Sequence, residues 1–128
     1  MDDNQALHLF EKILTFPTVS NTAPYDGSYD QCAQWLLQTC LDIGLDASVL
    51  SSSLPGKPIV IAEWKGAAPD LPCILLNSHY DVVPVVQEQW TVPAFGHRKG
   101  DRIYGRGAQD MKCVCVQYLI ALQRLRAS

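Results

Sequence analysis

The residues of this chain best suited to chemistry lie in two short stretches. The first is Asn77-Ser78-His79-Tyr80-Asp81-Val82-Val83-Pro84, where an imidazole and a carboxylate stand two apart at the end of an apolar run. A neutral imidazole is a good zinc ligand, although a single histidine at a strand end is more often structural. Asp81 adds a use for the ring's other nitrogen. A carboxylate that accepts that N–H fixes the tautomer and makes the ligating nitrogen more basic. The competing reading of Asp81 is an Asx turn leading toward Pro84.

The second stretch is Gly105-Arg106-Gly107-Ala108-Gln109-Asp110-Met111-Lys112. Asp110 precedes a long amphipathic run, where an aspartate can simply cap a helix. A carboxylate also suits two metal ions, because it offers one oxygen to each. Gly105-Arg106-Gly107 would let backbone approach a compact ligand, yet it lacks the third glycine of GxGxxG and the GK[ST] of a P-loop. Cys113 and Cys115 are no zinc pair, since residues two apart on a helix face different ways. They read as core.

These residues need elements to hold them. Ala6, Phe10, Ile13 and Leu14 recur at helical spacing and predict a first helix over 3–15, stopped by Pro17. A polar loop over 18–27 follows. Ser28-Tyr29-Asp30-Gln31 fits a capping box, and Tyr29, Cys32, Ala33, Leu36, Leu37 and Cys40 mark one face of a second helix ended by Gly44. Residues 45–49 alternate like a half-exposed strand. The runs 59–64 and 73–76 are more continuously apolar, as strands covered on both faces are. Residues 85–109 read as irregular, with a short strand or hairpin near Arg102-Ile103-Tyr104. A last helix should begin near Asp110, with Met111, Val114, Cys115, Tyr118, Leu119, Leu122 and Leu125 as its stripe, buried against a sheet. Helices alternating with strands predict an α/β layered fold in one domain.

Composition narrows the class. A net charge of −3 supplies no basic face for nucleic acid, and no segment approaches the ~18–20 apolar residues of a membrane span. The acidic, polar start Met1-Asp2-Asp3-Asn4-Gln5 is the opposite of a secretory signal. Five cysteines without a CxxC pair then predict reduced thiols and a cytoplasmic location.

Taken together, the stretches are far more specific than their members. NSHYDVVP, then Trp90-Thr91-Val92-Pro93-Ala94-Phe95, then IYGRGAQDMK occur in order at short separation. This resembles the co-catalytic zinc peptidase and deacylase family that includes aminoacylases, glutamate carboxypeptidases, di- and tripeptidases and acetylornithine deacetylase. Its members carry S/G-H-x-D-V-V-P, a Trp-Pro-Phe segment, and Y-G-R-G-x-x-D-M-K. Phe16-Pro17-Thr18-Val19-Ser20 resembles the family's Pro-Thr-Val-Ser. Within the family, LLNSHYDVVPV and RGAQDMKCV are most similar to the aminoacylase branch, with Cys113 where many relatives have glycine. Tyr80 departs from the small residue usual between the histidine and the aspartate.

The resemblance implies that His79 ligates one zinc, that Asp110 bridges two, and that Asp81 is the catalytic-site residue orienting His79. It implies a cis Asp110–Met111 bond, and two Zn2+ per complete site, although a histidine and carboxylates suit several divalent ions. The fold implied is α/β, the N-terminal part of a zinc-peptidase-like layered fold with helices packed on a mixed β-sheet. Residues 1–128 would be the first part of the catalytic domain. A Glu-Glu pair, further ligands, the lid domain and the rest of the catalytic domain are expected beyond Ser128. The reaction implied is hydrolysis of an N-acyl-L-amino acid to a carboxylate and a free amino acid, with homodimers expected of complete relatives. The chain alone is expected to bind zinc weakly and not to turn over, and to expose an unpaired sheet edge and an apolar face. Other readings are a non-catalytic short product acting by association and, within the family, a dipeptidase or carboxypeptidase.

Overall fold

The computed structural model describes residues 2–127. Helix α1 spans Asp3–Leu14. It is started by a reciprocal box: the Asp2 carboxylate accepts from Gln5 N at 2.8 Å while Asp2 N donates to Gln5 Oε1 at 2.9 Å, satisfying donors that a helix start leaves without partners. Its buried end, Ile13 and Leu14, enters the core. The stretch expected to be all loop contains a one-turn helix, α2 (Ala23–Asp26), with a proline in its first turn, where the missing N–H costs nothing.

Helix α3 spans Ser28–Asp42 and buries the face expected of it, with Leu37 only half-buried. Its start differs from expectation. Gly27, in the left-handed region at φ 82°, is the N-cap, no Ser28–Gln31 box forms, and the Asp26 carboxylate accepts from Ser28 N at 2.8 Å. At the other end Gly44 has φ 83°, Gly44 N donates to Leu41 O and Leu45 N to Cys40 O, the paired bonds of a Schellman stop.

Strands β1 (Asp46–Ser51) and β2 (Pro58–Glu63) form an antiparallel hairpin against which α3 packs. β3 (His97–Lys99) and β4 (Arg102–Tyr104) form a second, small hairpin near the position expected. Helix α4 (Lys112–Arg126) packs on α1 rather than on a sheet, and its most buried side chains are Lys112, Val116 and Leu119, while Leu125 is exposed. The core is where these helices and the entry to β1 meet: Ile13, Leu14, Cys32, Leu36, Cys40, Ile43, Leu45, Val116 and Leu119.

The result is an α/β arrangement of helices on small sheets, with one parallel bridge, Val19↔Val82, beside the two hairpins. Two strand expectations change. β2 is covered on one face only, with Ile59 and Ile61 exposed. Residues 73–76 form no strand, and Ile74 and Leu75 stand 89% and 82% exposed. An apolar run has the propensity for a strand, but a ladder also needs a partner edge, and among the described residues none pairs with it.

Candidate metal centre

The fold brings the two chemistry-bearing stretches together by two separate constraints. The first acts on 78–82. After α1 the chain turns at Pro17, and Thr18, fully buried, donates its hydroxyl to Tyr80 O. Val82 N then donates to Thr18 O and Ser20 N to Val82 O, each at 2.9 Å. Tyr80 is fixed on its other side, its hydroxyl donating to Pro58 O and its ring meeting Tyr29 edge-on at 5.5 Å. The bulky residue that departs from the family pattern therefore turns inward, away from the cleft.

The second constraint acts on 105–112. Gly107 has φ 86°, and a Cβ there would lie 2.6 Å from Val82 Cγ1, so only glycine lets this turn rest on the His79-bearing segment. Lys112 N donates to Gly107 O at 3.0 Å, and the Asp110–Met111 peptide is cis, as expected from the resemblance. Met111, not Asp110, is the N-cap of α4. The carboxylate of Asp110 is thus not used in capping.

It meets the imidazole instead. His79 Nε2 lies 3.2 Å from Asp110 Oδ1, and His79 Nδ1 lies 3.1 Å from Asp81 Oδ1. The ring is held between two carboxylates in an open cleft also lined by Val83, Arg106 and Gln109. The side chains of His79 and Asp81 are about half exposed and that of Asp110 is 88% exposed, so approach from solvent is unobstructed. Nδ1 also lies 3.2 Å from the backbone O of Asp81; with Nδ1–H donating to that residue, Nε2 is the nitrogen left for a ligand, and it faces Asp110. Two ligand atoms bound to one tetrahedral zinc at ~2.0–2.1 Å would stand about 3.3 Å apart. The observed pair fits that spacing. Among the described residues no group of three His, Cys, Asp or Glu side chains is placed to hold a metal.

Three features of the site were not read from the sequence. Lys112 is wholly buried, its Nζ donating to Ile13 O at 3.1 Å and Phe16 O at 2.8 Å, and burial pulls its ammonium down to about 8. The signal was a lone lysine opening an otherwise apolar helix. Arg106 stacks its guanidinium over Trp90 at 5.3 Å, which explains why the Trp segment belongs beside the cleft. Burial raises the thiol of Cys115, while the nearby Ser78 hydroxyl and Lys112 work against that rise. All five cysteines are free thiols, and Cys113 donates to Gln109 O.

Known proteins are similar to this chain. Residues 75–128 match the model described as peptidase family M20/M25/M40. Aminoacylase-1 of Sus scrofa is 39% identical over 126 residues, covering 97% of this chain and 30% of that protein. Aminoacylase-1 of Homo sapiens is 37% identical over 127 residues, 98% of this chain and 30% of that protein. A probable carboxypeptidase S-like 1 of Dictyostelium discoideum is 38% identical over 80 residues, 62% of this chain and 16% of that protein. The crystal structure of human carnosine dipeptidase 1 superposes with a TM-score of 0.79 at 21% identity, over 97% of this chain and 28% of that one, a likeness of fold. The chain thus spans about 30% of the length of the aminoacylases it matches.

Proposed function

We propose that the chain is the first part of a zinc-dependent amidohydrolase of the M20/M25/M40 peptidase family acting on N-acyl-L-amino acids, a reading supported by the match of residues 75–128 to that family's model and by the likeness of nearly the whole chain to aminoacylases. His79 serves as a ligand to one metal, Asp110 as the carboxylate shared between two, and Asp81 as the group that orients His79. The observation that carries this reading is the meeting of His79 Nε2 with Asp110 Oδ1 at 3.2 Å while Asp81 occupies Nδ1 at 3.1 Å. When bound, such a metal pair supplies Lewis acidity toward the amide carbonyl and lowers the pKa of water toward neutrality. The chain's own residues set the ligand geometry, hold the imidazole tautomer and leave the cleft open to substrate. Aminoacylases match nearly the whole chain at 39% and 37% identity, against 21% for the carnosine dipeptidase, which favours N-acyl amino acids over the peptides a dipeptidase or carboxypeptidase takes. A cytoplasmic setting and dimers of the complete protein belong to the same proposal.

Two protein ligands shared across two metals are fewer than the three zinc takes even at an open catalytic site. The isolated 128-residue chain should therefore bind Zn2+ weakly and leave N-acetyl amino acids unhydrolysed. Imidazole NMR spectra during a Zn2+ titration test this. The His79 signals should move while those of His8 and His97 stay, and Asp110→Asn should abolish the response. An unchanged His79 response in that variant overturns the ligand assignment, and turnover with stoichiometric zinc overturns the claim of incompetence. A non-catalytic product acting by association is the second reading, favoured by the exposed Ile74 and Leu75.

A further inference from the structure

We infer that Lys112 is a positioning residue, its side chain tied to the segment that holds His79 and its backbone to the turn that carries Asp110. Its ammonium is buried and donates to Ile13 O and Phe16 O, carbonyls at the end of α1 that the helix itself leaves without full partners. The same segment continues through Pro17, which has no N–H to offer, to Thr18, whose hydroxyl reaches Tyr80 O and whose carbonyl takes Val82 N. Those contacts flank His79 and Asp81. In the other direction the backbone of Lys112 holds Gly107 O at 3.0 Å, closing the turn that ends at Asp110. One route from Lys112 therefore fixes the imidazole and another fixes the carboxylate.

A buried cation is retained only where it is paired or fully hydrogen-bonded. An apolar residue of equal length would fill the same space and leave Ile13 O and Phe16 O only their backbone donors, Phe16 N and Thr18 N. What it would lose is the tie between α4 and 13–18, so the consequence should appear at His79, beyond the core that Lys112 itself touches.

The test uses the full chain carrying Lys112→Met, followed by thermal melting and by imidazole NMR, first without metal and then with Zn2+. The expected result is a cooperative melt with His8 and His97 unmoved, while the metal-free His79 signals shift toward those of a solvent-exposed imidazole. The Zn2+ response of His79 should weaken at least tenfold, and Lys112→Arg should restore part of both. A folded Lys112→Met chain whose metal-free His79 signals match the wild type overturns the inference. If that variant fails to fold, Thr18→Val decides, because it cuts the hydroxyl contact to Tyr80 with Lys112 intact. Unmoved His79 signals there overturn it equally. The Zn2+ arm rests on the proposed function, the metal-free arm does not. A wild-type His79 that ignores Zn2+ therefore sinks that function and leaves the test of Lys112 standing.

Discussion

His79 owes its significance to what stands on either side of its ring. Asp81 at Nδ1 and Asp110 at Nε2 are each within 3.2 Å, and neither carboxylate is occupied by an ordinary structural task. Asp110 does not cap α4, since Met111 does. These three residues were legible through the ordered motifs that carry them, since each alone has a common structural reading, as a strand-end histidine, an Asx turn or a helix cap. Lys112 was not legible as a node, because its partners Ile13 and Phe16 lie almost the whole chain away, and a lysine in a helix reads as solvated until its burial is known. Asp81 gives the sharpest residue-scale prediction. Asp81→Asn keeps an acceptor for Nδ1–H but removes the charge that makes Nε2 basic. Zn2+ affinity should fall about tenfold, the low end for such orienting partners. The half-exposed position should leave the melt unchanged. A calorimetric Zn2+ titration beside a thermal scan checks both, and undiminished affinity would refute the orienting role.

At the scale of elements, helices were easier to read than strands, and helix bodies easier than helix starts. The apolar face of α3 follows from periodicity alone. Its cap does not, because Asp26, Gly27 and Ser28 spell competing starts, and the left-handed Gly27 with the Asp26 carboxylate displaces the serine box. The turn over 105–110 depends on a different local fact. Gly107 combines a positive φ with a missing Cβ that would sit 2.6 Å from Val82 Cγ1. Gly107→Ala should cost about 2–3 kcal/mol in urea unfolding, from strain and overpacking together. It should also separate His79 from Asp110, since the turn would have to lift off Val82. Gly66→Ala is the control: nothing lies within 4 Å of a Cβ there, and its effect should stay within about 0.5 kcal/mol. Equal effects of the two substitutions would mean that the turn does not rest on Val82.

For the whole molecule, stability and surface pull on different residues. Cys40 lies in the core, where burial first and the neighbouring Cys115 second push its thiol up to about 11 from an ordinary 9. Between those values the unfolded chain has lost the proton that the folded chain keeps. The contribution is complete below pH 9 and is lost as pH rises toward 11. Lys112 acts in the opposite sense, since its folded value is lowered to about 8, so Cys40 must be isolated by difference. The stability gap between wild type and Cys40→Ala, measured under reductant, should be flat below pH 9 and shrink by about 2–3 kcal/mol by pH 11. The surface poses the other question. The run at 73–76 was read as a covered strand because β propensity is written in four consecutive residues, whereas the edge that would cover them is not. With Ile74 89% and Leu75 82% exposed, and β2 paired on only one edge among the described residues, the chain carries the open edge and apolar face that drive association. Replacing Ile74 with Lys and Leu75 with Glu together should therefore cost no more than about 0.5 kcal/mol each, while raising the concentration at which sedimentation still reports a monomer. If the double variant instead melts well below the wild type, those side chains are buried in solution, and the association they were expected to cause is already part of the folded state.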